Sequence, residues 1–137
     1  MMLIVILTLA AAVIAQAGKF LVPANYRRGL TIKKFNAYSG MPSSHAATVV
    51  ALATIVGLVA GWASAEFGLA LIFAILIVRD ALGLRNQVGA EGKAINQLVK
   101  ELQSKKLINK NYPTFEEHVG HTGAQVLVGS LIGVASS

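Results

Sequence analysis

The chain has 137 residues, short enough for one domain, yet it is 55% hydrophobic and only 13% charged, about half the charge fraction of a soluble globular protein. Its 12 Lys+Arg against 6 Asp+Glu would suit a nucleic-acid binder only on a soluble surface; here the bases border apolar runs, which sets that class aside and points to a membrane. The absence of cysteine excludes disulfides, thiolate metal sites and a cysteine nucleophile, and leaves the redox compartment open.

Residues 1–22 are apolar apart from Thr8, Gln16 and Lys19. At 1.5 Å per residue they are long enough to cross a hydrocarbon core of about 30 Å, and are predicted as a first span. A signal peptide is the competing reading, because Ala15-Gln16-Ala17 looks like a processing site; against it, no Lys or Arg precedes the apolar run. The connection that follows, with Pro23, Asn25, Gly29 and Gly40, reads as a loop. Further apolar runs predict spans over about residues 44–63, 66–84 and 117–134. Between the third and fourth, residues 85–113 are polar but carry Ile95, Leu98, Val99 and Leu102 at helical spacing, as an amphipathic helix on the membrane surface would. Thr114, Phe115, Glu116 and Glu117 after Pro113 are predicted to form the capping box that starts the fourth helix. The fold class expected is therefore all-α: a single integral membrane bundle over 1–137, with about four transmembrane helices and one interfacial helix.

The charges fall on one side of that bundle. The first inter-span loop holds Lys19, Arg27, Arg28, Lys33 and Lys34, and the second holds Arg79, Arg85, Lys93, Lys100, Lys105, Lys106 and Lys110, which is all 12 Lys+Arg. The opposite face has only Glu66 in its tight turn. By the positive-inside rule the basic face is cytoplasmic and both termini point away from it, in a plasma or inner membrane.

The same topology gathers scattered polar residues on the basic face, where ionisable groups at membrane depth suggest a site. Gly40-Met-Pro-Ser-Ser-His45 opens the second span. Pro42 presets the backbone and Ser43 or Ser44 can cap the helix, whose free N–H groups suit a phosphate; a plain serine cap followed by an interfacial histidine is the alternative. In Gly120-His-Thr-Gly-Ala-Gln125, His121 and Gln125 stand four apart, so the amide could hold one imidazole nitrogen and leave the other as nucleophile or base. A histidine and glutamine that merely join helices would look the same. His118, nearer solvent, reads as a surface residue. Asp80, beside Arg79 and ahead of Arg85, makes best sense as an acid that orients an arginine or a histidine. Gln16 and Lys19 share one side near the end of the first span, where Lys19 could equally be a snorkelling anchor. The Gly57/Gly61 and Gly129/Gly133 pairs read as small-residue packing surfaces. No spacing suits a metal, and no glycine-rich nucleotide loop is present.

Taken together, Ala15-Gln16-Ala-Gly-Lys19, Gly40-Met-Pro-Ser-Ser-His-Ala46, Asp80-Ala-Leu-Gly-Leu-Arg85, Asn96 and Gly120-His-Thr resemble, in order and over nearly the whole chain, the divergent PAP2 membrane proteins. These are related to type 2 phosphatidic acid phosphatases and more remotely to vanadium haloperoxidases. The resemblance implies a phosphohistidine mechanism with no cofactor. In it His121 is the nucleophile and His45 the general acid, while Lys19, Ser43, Ser44 and Arg85, with Arg79 as a weaker candidate, bind the phosphate oxygens. It differs from the wider superfamily in having Tyr26 where an arginine is expected, no Ser-Arg pair before the nucleophile, and Gln125 in place of the acid that orients it; Asp80, Glu116 or Glu117 could compensate. The implied activity is a lipid-phosphate phosphatase acting on a phosphatidate, phosphatidylglycerophosphate or polyprenyl phosphate at the cytoplasmic face. The alternative is a weak or inactive relative that binds anionic lipid or a membrane partner. The expected partners are a phosphorylated lipid and membrane lipids, not nucleic acid, with a homo-oligomer left open.

Overall fold

The computed structural model describes residues 2–23, 25, 40–109, 111–117 and 119–137. Tyr26, Arg27, Arg28, Lys33, Lys34, Lys110 and His118 fall outside the described residues. The elements in chain order are α1 (Met2–Gly18), a 3₁₀ turn (Lys19–Leu21), α2 (Ser44–Ala60), α3 (Ala65–Leu82), α4 (Leu84–Ser104) and α5 (Gly123–Ala135). The described residues contain no strand, so the chain is the all-helical bundle its hydropathy predicts.

Local chemistry sets the helix ends. Ser43 caps α2, its hydroxyl accepting from the Ala46 N–H at 3.4 Å, and Ser64 caps α3 by accepting from Phe67 N–H at 3.1 Å; each satisfies a donor that has no acceptor inside the helix. Gly61 ends α2 at φ +98°, backbone that an L side chain rarely adopts. It is thus a helix stop, not half of a packing surface. Its expected companion Gly57 is buried under the ring of Trp62, which stands edge-to-face on Phe67 at 5.1 Å.

The fourth apolar run departs from expectation. Its helix begins at Gly123, not near residue 117, and the capping box is made by Thr122 and Gln125. Thr114 starts nothing, because residues 112–117 run without regular structure along α4. Asn96 of α4 holds that strap: it accepts from Phe115 N–H at 2.9 Å and donates to Phe115 O at 2.8 Å and to Glu117 Oε1 at 2.9 Å. Gly89 and Gly92 let the strap's backbone lie so close that a Cβ at either would run into the Glu117 or Glu116 carbonyl. The amphipathic helix is present as α4, but its buried side is Gly89, Gly92, Asn96 and Val99, while Ile95 and Leu98 are exposed. With only 13 residues, α5 is about 20 Å long.

Packing follows the rule of membrane bundles, with small side chains inside and large ones outside. The core is mostly alanine: Ala11 meets Ala51 and Ile55 between α1 and α2, Ala53 meets Ala70 and Ala74 between α2 and α3, and Ala46 meets Ala81 and Val126 nearby. Gly129 and Gly133 of α5 lie so close to α2 that a Cβ would strike the carbonyls of Ser43 and Ala47, which bears out that pair as a packing surface. Leucines, isoleucines and phenylalanines of α1 and α3 face outward. Helical stretches 2–21 and 65–104 are long and apolar enough to cross a membrane, whereas α2 and α5 are shorter apolar helices. The hub is α2, with α1, α3 and α5 packed around it, while α4 meets only α3 among the helices.

Candidate active site

Hydrogen bonds tie five helix ends together. Asn25, almost wholly buried, donates to the Lys19 carbonyl at 2.7 Å and to the Met41 carbonyl at 2.6 Å and accepts from Met41 N–H at 3.0 Å, joining the end of α1 to the segment that opens α2. Ser43 N–H donates to the Gln125 carbonyl at 3.0 Å, joining α2 to the start of α5. His121 N–H donates to the Ala81 carbonyl at 3.1 Å, joining the approach to α5 to the end of α3. Asn86 in the first turn of α4 donates to the carbonyls of Leu82 at 2.8 Å and His121 at 3.0 Å.

At the centre stands His121, 3% exposed, with neither ring nitrogen hydrogen-bonded. A buried polar group without a partner is costly. Burial first, then the positive charges of Lys19, His45 and Arg85, push the imidazole down to about 4. At neutral pH the ring is therefore uncharged and keeps a lone pair. The same three residues, drawn from the 3₁₀ turn after α1, from α2 and from α4, are the ones predicted to meet it. Lys19 is buried, and Arg85 is bound through Nε to Asp80 Oδ2 at 2.6 Å. Asp80 thus orients an arginine, and one N–H of the guanidinium's five is used in doing so. His45 is exposed beside a hollow of about 350 Å³ between α1 and α2, lined by Ala12, Gln16, Ser44 and Thr48.

Three expected roles change. Gln125 does not touch the imidazole: its Oε1 accepts from Thr122 N–H at 2.8 Å, and Thr122 Oγ1 accepts from Gln125 N–H at 3.4 Å. The reason is that His121 precedes the N-cap, so four-residue helical spacing does not apply to it, and the amide satisfies the helix's own start. Ser43 is fully buried as the α2 cap, leaving Ser44 as the hydroxyl that borders the open hollow. Arg79 projects elsewhere, into a groove with Val50 and Leu71. Glu117 accepts from Asn96 and Glu116 is exposed, so neither acid replaces the one missing beside His121. Asn25, expected only as a loop residue, and Asn86, not singled out from the sequence, join these helix ends. An asparagine beside a predicted helix end is the one signal they offered.

A model of the divergent PAP2 family matches residues 2–136. The chain belongs to that family. Among relatives of this divergent PAP2 protein is the membrane protein YuiD of Bacillus subtilis (strain 168), 33% identical over 138 residues, covering 93% of this chain and 86% of the relative. No solved structure matches the chain. Membership agrees with the helical bundle and with the order of the histidine and arginine segments that meet around His121.

Proposed function

We propose that the protein is a membrane lipid-phosphate phosphatase that works through a phosphohistidine. The observation carrying this reading is the buried, unpartnered His121 ring within the influence of Lys19, His45 and Arg85. A phosphomonoester enters from the His45 side, where the hollow is open. Lys19, Arg85 and the first N–H groups of α2 neutralise its oxygens. A neutral nitrogen of His121 attacks phosphorus; the bond to the ester oxygen breaks, and His45 protonates the departing alkoxide to give the lipid alcohol. Water, deprotonated by the now neutral His45, then attacks the phosphohistidine. The P–N bond breaks, releasing inorganic phosphate and restoring His121.

The site is further read as cytoplasmic, on a multi-pass bundle, from the one-sided placement of all 12 Lys+Arg. Purified protein in detergent, given phosphatidate, phosphatidylglycerophosphate and a polyprenyl phosphate, should release phosphate from at least one. His121→Ala should abolish release, and His45→Ala should reduce it by about 10²–10⁴-fold, the usual worth of a general acid. A second reading, a weak or inactive relative that binds anionic lipid, is favoured by the absence of a carboxylate on His121 and by the use of Gln125 as a cap. Inertness of the wild type toward every lipid phosphate, with binding retained, would put that reading first.

A further inference from the structure

The last turn of α3 carries a cation that the histidine cluster does not use. Arg79 is exposed and pairs with no carboxylate among the described residues, which include all 6 Asp+Glu of the chain. Neighbouring Asp80 is already engaged by Arg85. Two hollows meet at Arg79. The first, about 540 Å³, is a groove between α2 and α3 walled by Val50, Leu71, Ala74, Ile75, Val78 and Leu82. The second, about 400 Å³, occupies the corner where α3 gives way to α4 and is bordered by Asp80, Leu84 and Gln87. Arg79 and Gly83 line both.

Shape and charge together define an occupant. Leu71 to Arg79 covers about 12 Å of helix at 1.5 Å per residue, and half of a hydrocarbon core is about 15 Å. The apolar groove thus spans most of one leaflet below an unneutralised guanidinium. A water-soluble anion would leave the apolar walls bare, and a neutral lipid would leave Arg79 without a counter-charge. We infer that the α2–α3 groove and the α3–α4 corner together hold one anionic glycerophospholipid, with its phosphate on Arg79, an acyl chain along Leu71 to Val78 and the headgroup toward Gln87. This site is separate from the histidine cluster, and it stands whether or not the chain hydrolyses lipid phosphates.

Photoactivatable phosphatidylglycerol in phosphatidylcholine nanodiscs tests it. In the wild type the label should map to the α3 segment from Leu71 to Gly83 or to Val50. Arg79→Gln should lower labelling about five-fold, the loss of one interfacial basic charge, and Arg79→Lys should keep most of it. His121→Ala should leave it unchanged. Equal labelling of the groove by photoactivatable phosphatidylcholine, or labelling indifferent to Arg79→Gln, would overturn the assignment. So would a fall with His121→Ala, which would locate the probe at the histidine site, or cross-linking of Leu71 and Ile75 to a second copy of the chain.

Discussion

His121 is surrounded by cations rather than bonded, and that makes its protonation a property of the whole fold. Its pKa falls from the usual 6.5 to about 4, so the folded state favours the neutral ring. For a depressed pKa the associated stability is fully present above 6.5 and is lost as pH falls through about 4. Thermal melting in detergent should therefore drop across that window, and His121→Ala should flatten the decline; an equally steep decline in that variant would place the acid sensitivity elsewhere. Gln125 gives a contrasting expectation. Glutamate also suits the third residue of a capping box, although at this buried position its carboxylate carries a desolvation cost, so Gln125→Glu should lose less than Gln125→Ala, which should cost about 0.5–2 kcal/mol, the scale of a lost cap. A loss as large for glutamate as for alanine would show that the box is not what holds Gln125. Lys19, His45, Arg85 and His121 were legible because polar residues at the ends of apolar runs have few other reasons to be there. The capping role of Gln125 was not, because it depends on the helix starting two residues after the histidine.

Between elements, the bundle is held by close backbone approach, which a methyl group is enough to disturb. Gly133 meets Ala47 and Ala51 of α2, and Gly129 meets Ser43. Gly133→Leu should thus force α5 away from α2 and cost about 1–3 kcal/mol, as over-packing does. It should also weaken phosphate binding, since α5 anchors the approach to His121. At Gly61 nothing lies near an added Cβ, so Gly61→Ala meets only the unfavourable backbone of φ +98° and ψ 144° and should cost about 1–3 kcal/mol. If Gly133→Leu melted no lower than wild type, the tight α2–α5 contact would be wrong. Apolar run lengths revealed α1, α2 and α3 to within a few residues. They misplaced the start of α5, because the residues before it are drawn into a strap by Asn96 of α4. That bond joins positions 19 residues apart, and hydrophobic periodicity carries no trace of it.

For the whole molecule, the division between alanine inside and leucine, isoleucine and phenylalanine outside means that water is not the solvent of the outer surface. The basic residues then decide how the bundle lies. Arg79 lies in the last turn of α3, the end that His121 N–H bonds, and Lys93, Lys100 and Lys105 follow on α4 and just beyond it, while the α2–α3 turn at the other end of α3 carries no base. By the positive-inside rule the side that carries the bases is expected to be the cytoplasmic one. Lys105 at the end of α4 and Ala63 in the α2–α3 turn are both exposed, and the chain has no native cysteine to compete. Lys105→Cys should therefore react with an impermeant maleimide only after the cells are opened, and Ala63→Cys should react in intact cells. The opposite pattern would place the histidine cluster on the outer face and change which lipid phosphates can reach it. Labelling of both positions in intact cells would go further, since it would mean that α2 and α3 do not cross the bilayer as a pair.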